Sequence, residues 1–161
     1  MATLLSTARR ERVKDRNSRE DDYRKDARAS VSAVLTAAAE FERHGRVLSE
    51  QWRWIRMGYT RATQLADATE LAMKDLQQKV IAASVLVAEI ELQSSLHNFR
   101  TAFDHAASVI HDAVDSFWEG MPAKKSSAVR EDAWTQYGEC CGAMVAVTSQ
   151  LLSPTVRSSD C

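Results

Sequence analysis

The residues best suited to bind a metal ion in this sequence are its four histidines, His44, His97, His105 and His111. Glu40 lies four residues before His44, and Asp115 lies four residues after His111. Each pair therefore falls on one helix face and could supply two ligands. Neither the Glu-x-x-His pattern of di-iron bundles nor a His-Glu-x-x-His run occurs. We keep a metal-binding helical bundle as an alternative function and assign no metal ligand and no cofactor.

The candidate nucleophiles are the thiols of Cys140, Cys141 and Cys161. Cys140 and Cys141 have no histidine nearby, and their apolar neighbours indicate buried, unreactive thiols. The sequence also contains no Gly-rich phosphate loop, Gly-x-Ser-x-Gly elbow or Cys-x-x-Cys pair. We therefore assign no catalytic residue and expect a protein that is not an enzyme. So few cysteines form no disulfide framework, which predicts a reducing compartment and a cytoplasmic location.

Aromatic and cationic side chains occur together at one place in the sequence, at Trp52, Arg53, Trp54 and Arg56. Trp52 and Trp54 fall on different helix faces, so at least one of them should be partly exposed. Tryptophan and arginine are enriched at protein interaction hot spots, and together they also stack on bases and contact phosphates. These four residues are therefore candidate partner contacts, for a protein first and a nucleic acid second.

Gly138, Gly142 and Ala146 are spaced by four residues within the last predicted helix. Glycine inside a helix costs about 1 kcal/mol relative to alanine, so this spacing suggests a close approach to another helix. The alanine-rich segment 82–88 is a natural partner within the chain. We add Gly138 and Gly142 to the candidate partner contacts.

Trp118-Glu119-Gly120 is similar to the Trp-x-Gly turn of small secreted helical proteins. The resemblance covers three residues, and the Tyr-x-x-x-Asp/Glu signal of that family is missing because Cys141 stands four residues after Tyr137. We therefore transfer no function. The interpretation we adopt is structural: Gly120 stops a helix, and Trp118 closes one end of a bundle.

The composition is that of an ordinary globular protein, with 45% hydrophobic and 27% charged residues in 161 positions. Only five glycines and two prolines occur, which favours helix over loops and sheets. No apolar run is long enough for a secretory signal or a membrane span. Residues 1–60 contain thirteen Lys/Arg and nine Asp/Glu, whereas residues 61–161 contain eight and thirteen. A mildly basic first part could therefore attract an acidic partner or a nucleic acid.

Three regions follow from the apolar pattern. Residues 1–28 mix both charges and form a charged arm or a solvated helix. Residues 29–152 form the helical bundle domain, and residues 153–161 form a flexible tail. The bundle begins with an apolar stripe and a helix that we expect to end near Gly45. The stripe consists of Ala27, Val31, Val34, Ala38 and Phe41.

The middle of the chain contains no glycine or proline between Gly58 and Gly120. Two apolar stripes run through this stretch and lie on nearly opposite helix faces, overlapping at residues 80–92. One stripe includes Leu76 and Val87, and the other includes Leu92 and Phe103. Any helix at the overlap is therefore apolar on all sides. A strand at 85–92 is disfavoured because no second strand is available to pair with it.

The predicted fold is all-α, with three or four long antiparallel helices in one of two arrangements. A continuous helix would give an elongated protein that dimerises, whereas a break near Ser84 would give a compact four-helix bundle. We favour the continuous helix because no residue there normally stops one. In either arrangement we expect a non-catalytic interaction or scaffold protein that self-associates as a homodimer or binds another protein. A nucleic-acid accessory protein that uses the basic arm is an alternative.

Overall fold

A computed structural model describes the backbone of residues 2–50, 53 and 56–152, and side chains from residue 13 onward within those ranges. These residues form four long α-helices and no strand, which confirms the predicted all-α class. The helices are α1 (Ala2–Ser49), α2 (Tyr59–Leu86), α3 (Ile90–Trp118) and α4 (Ser127–Leu151). The predicted tail at 153–161 lies outside the described residues.

Consecutive helices run antiparallel, as in an up-and-down four-helix bundle. The hydroxyl of Tyr23 on α1 meets Ala88 after α2, and the ring of Tyr59 at the start of α2 meets Trp118 at the end of α3. Helix α1 packs against all three other helices, whereas α2 and α4 do not touch one another within the described residues. Helix α1 is therefore the element that organises the core.

Five aromatic side chains form the centre of the bundle, where α1, α3 and α4 meet. Their neighbouring ring centroids are 5.0–5.7 Å apart, within the range of favourable aromatic pairs. Tyr137 is fully buried, and its hydroxyl donates a 3.0 Å hydrogen bond to the carbonyl oxygen of Ala38. These rings come from Phe41, Phe99, Phe103, Trp134 and Tyr137.

The predicted stripe on α1 is buried along its whole length, from Ala27 to Phe41. The expectation that this helix ends near Gly45 is wrong, because α1 continues to Ser49. Gly45 is instead a contact point between helices. A Cβ atom there would lie 2.7 Å from Ile110 Cδ1 and 2.7 Å from Trp134 Cη2. Only a residue without a side chain lets α1 approach its neighbours this closely.

The favoured continuous helix through residues 80–92 is also wrong, because the chain leaves the helical conformation at residues 87–89. Val87 and Glu89 are extended, with ψ angles of 126° and 123°. The break reverses the chain direction, so the two apolar stripes no longer have to lie on opposite faces of one helix. It lets Val80 and Ala83 before it, and Leu92 after it, face the same core. The chain is therefore a four-helix bundle.

Side chains from elsewhere replace the backbone hydrogen bonds that this break removes. Tyr23 accepts a 2.7 Å hydrogen bond from the Ala88 backbone N–H and donates a 2.6 Å bond to the Glu89 carboxylate. The side-chain amide of Gln93 donates a 2.8 Å bond to the Val87 carbonyl. Because backbone groups in the turn keep their partners, the helix can stop here without glycine or proline.

The first part of α1 extends beyond the rest of the bundle. Its first fully buried side chain among those described is Ala27, and residues 13–22 are exposed apart from the half-buried Asn17. Residues 2–28 are thus helical, with little of the described portion covered by other helices. The assignment of residues 1–28 as a separate region remains a prediction.

The α3–α4 connection has the features expected of a helix stop. Gly120 has a positive φ of 68°, which favours glycine, and helix α3 ends two residues earlier. Ser126 caps α4 by accepting a hydrogen bond from the Val129 backbone N–H. Trp118 is partly exposed and packs against Phe117 and Tyr59. None of the four described helices is both long enough and apolar enough to cross a membrane.

Candidate interaction surface

Of the four tryptophan and arginine residues predicted to contact a partner, Trp52 and Trp54 lie outside the described residues. Arg53 and Arg56 are exposed. The Arg53 guanidinium forms an ion pair with Glu50, with 2.5 Å between Nε and the carboxylate oxygen. Their role as partner contacts remains a prediction.

The predicted glycine strip on α4 does not approach any other described helix of the chain. Gly138 and Gly142 are exposed, and a Cβ atom at either position would have no neighbour within 4 Å. The suggested pairing with residues 82–88 is wrong because α2 and α4 do not meet in the described structure. Among the described residues nothing packs closely against Gly138 and Gly142, and their role as partner contacts stays a prediction.

A group of exposed apolar side chains lies at the α2–α3 turn, within the segment that the sequence marks as apolar on all sides. The bundle covers Val80, Ala83 and Val87 but leaves the opposite face open. We call this open face the turn patch. It consists of Ile81, Val85, Leu86 and Ile90, which are 51%, 84%, 41% and 82% exposed. Exposed apolar patches of this kind mark interaction sites in many proteins.

The turn patch is flanked by negative charge. No lysine, arginine or histidine occurs between residues 80 and 96, whereas Glu89 and Glu91 are both in this stretch. Glu89 accepts the hydrogen bond from Tyr23, and Glu91 is exposed at the start of α3. Partial burial, together with the bond to Glu89, raises the pKa of the Tyr23 hydroxyl, which therefore stays protonated and donates to the carboxylate. The charged residues within this segment are therefore both acidic, and Lys79 just before it is paired with Asp75.

Cys140 and Cys141 lack the surroundings that would activate a thiol. Burial raises the pKa of the Cys140 thiol and raises that of Cys141 to about 12, so both remain protonated near neutral pH. His44 Nε2 lies 3.0 Å from the Glu40 carboxylate, as the four-residue spacing predicts. A hydrogen bond from Arg43, followed by that from His44, lowers the pKa of Glu40. Among the described side chains, no group of three His, Cys, Asp or Glu residues is arranged to hold a metal ion.

The sequence marks the apolar segment at 80–92 but does not reveal the roles of Tyr23 and Gly45, which depend on contacts distant in sequence. The one local signal for Tyr23 is that it is among the few apolar residues in a charged segment. Glycine commonly stops a helix, so the sequence predicted a helix end at Gly45 and gave no sign of its packing against other helices.

Comparison with known proteins adds no assignment to this geometry. The chain matches no protein-family model, no curated protein and no solved structure. The turn patch and the elements around it are therefore the features that bear on its function.

Proposed function

We propose that this protein is a non-catalytic helical interaction protein that self-associates. The observation that carries the proposal is the turn patch, where four large apolar side chains lie together on the bundle surface. The raised pKa values of the Cys140 and Cys141 thiols are in keeping with a non-catalytic role. The scarcity of cysteine supports the expectation of a reducing, cytoplasmic environment.

The exposed area at the turn patch is large enough to contribute to association. The four exposed fractions together correspond to about two and a half fully exposed side chains. Fully burying a side chain of this size contributes roughly 1.5–3 kcal/mol, so each copy would gain roughly 4–8 kcal/mol. A dimer in which both copies bury this patch would offset an association cost of roughly 4–15 kcal/mol. A reversible dimer is the expected outcome.

Sedimentation equilibrium of the full chain over a range of protein concentrations tests this proposal. We expect a monomer–dimer equilibrium that Val85→Ser shifts towards monomer. Val85 is 84% exposed, so its replacement should leave the bundle core intact.

Leu71→Ser is the matched control, because Leu71 is a similarly exposed apolar residue on α2 and precedes Val85 by fourteen residues. We expect it to dimerise like the wild type. A wild-type chain that stays monomeric at every concentration, or equal effects of the two substitutions, would reject the proposal.

A further inference from the structure

The uncovered start of α1 and the turn patch lie at the same end of the bundle. The hydrogen bond between Tyr23 and Ala88 places residue 23 of α1 beside the α2–α3 turn. Residues 2–22, which we call the α1 extension, continue the same helix away from that point for roughly 30 Å at 1.5 Å per residue. An uninterrupted helix cannot fold back, so the start of α1 does not cover the turn patch of its own chain.

The start of α1 and the turn patch have opposite charge. Residues 9–16 contain five Lys/Arg and two Asp/Glu, whereas residues 80–96 contain two Glu and no basic residue. Lys14 and Arg16 are exposed, as is Glu91 at the edge of the patch. Opposite charges of this kind favour one orientation of approach and increase the rate of encounter.

The start of α1 also carries an apolar side chain on a suitable face. Val13 precedes Ala27 by fourteen residues, which places the two within about 40° of each other around the helix axis. Val13, which is 46% exposed, therefore lies on the same face of α1 as the buried stripe. Most helical stability in proteins comes from the packing of an apolar face, so this segment gains from a packing partner.

We propose that a second copy of this chain covers the turn patch and that residues 9–16 of its α1 lie across the α2–α3 turn. This inference rests on the proposed self-association and specifies its geometry. A two-fold axis brings the two α1 extensions side by side in opposite directions. Each copy then covers the patch of the other, both sites are filled, and the assembly closes as a dimer.

The test is charge reversal in the full chain, measured by sedimentation equilibrium. Lys14→Glu combined with Arg16→Glu makes the α1 extension acidic without touching a buried side chain. We expect the dimer dissociation constant to rise about tenfold, since two attractive contacts per site become repulsive. Adding Glu91→Lys, which places a positive charge at the turn, should restore most of the loss.

The matched control is Arg100→Glu combined with Lys124→Glu, which changes the net charge equally at exposed positions on α3 and the following loop. We expect the control to dimerise like the wild type. Raising the NaCl concentration should weaken the wild-type dimer more than the Lys14/Arg16 variant, because only the wild type has attractive charges to screen.

The outcomes separate this inference from the proposed function. A monomeric wild type would reject both. A wild-type dimer that the Lys14/Arg16 reversal leaves unchanged would reject only the role of α1, and the two patches would then contact one another directly. Loss of low-salt DNA binding in that variant, with dimerisation unchanged, would also overturn the inference and assign the α1 extension to a nucleic acid.

Discussion

Replacing Gly45 with alanine should destabilise this protein, although alanine is the better helix former. Gly45 is buried in α1, where the helix passes close to α3 and α4. A methyl group there would lie 2.7 Å from Ile110 Cδ1 and 2.7 Å from Trp134 Cη2. Carbon atoms are in optimal contact at about 3.5–4.0 Å, so both contacts would be repulsive.

The size of the effect depends on whether the neighbours can move. Ile110 Cδ1 is the end of a flexible side chain and can rotate away. Trp134 is held by a 3.0 Å hydrogen bond from its Nε1 to Ser49 Oγ and by aromatic packing against Phe41 and Tyr137. Overpacking against such a rigid ring costs roughly 1–3 kcal/mol, and the higher helix propensity of alanine recovers about 1 kcal/mol. The difference is a net loss of up to about 2 kcal/mol in the free energy of unfolding, and the rigid Trp134 ring places the expected value towards the upper end.

The assay is urea unfolding followed by circular dichroism, at one protein concentration because self-association makes stability depend on concentration. Gly142→Ala is the matched control, since Gly142 is also inside a helix but has no neighbour within 4 Å of an added Cβ. The control should gain roughly 0.5–1 kcal/mol in stability. A Gly45→Ala variant as stable as the Gly142→Ala variant would refute the packing argument.

Three further perturbations test the contacts that hold the helices together. Tyr23→Phe removes the hydroxyl from the α2–α3 turn and should cost about 1–2 kcal/mol, with faster hydrogen exchange at the Ala88 amide. Ser49→Ala leaves the buried indole N–H of Trp134 without its partner and should cost about 1–3 kcal/mol in urea unfolding. Glu40→Gln should lower stability at neutral pH, because hydrogen bonds from neighbouring side chains lower the pKa of this carboxyl below its ordinary value of 4.5. That contribution is present above about pH 4.5 and is lost as the pH falls through the lowered folded-state pKa, so wild type and variant should converge in acid.

Each of these predictions can be contradicted by a distinct result. Unchanged exchange at the Ala88 amide would show that the Tyr23 hydroxyl does not hold the turn. A Ser49→Ala variant as stable as the wild type would mean that the indole N–H finds another partner. For Glu40→Gln, a stability difference that stays constant from neutral to acidic pH would show that the carboxylate charge contributes nothing.

The helical class and much of the core could be predicted from the sequence, because both depend on interactions between residues close together in the chain. Scarce glycine and proline favour helix, and a spacing of three and four residues places Val31, Val34 and Phe41 on one face. The structure buries all three. The same local logic correctly predicted that Gly120 follows the end of a helix.

The break at residues 87–89 and the role of Gly45 were decided by tertiary structure. No residue near Val87 normally stops a helix, and the turn is held by the Tyr23 hydroxyl, 65 residues away from Ala88 in the sequence. From the sequence alone, Gly45 is interpreted as a helix stop. The structure shows instead that Trp134 packs against it. The candidate site has the same origin, since the sequence marked residues 80–92 as apolar on all sides. Only the packing of α1 and α3 determined which of those sides the bundle covers, because burial depends on contacts between segments that a local pattern does not specify.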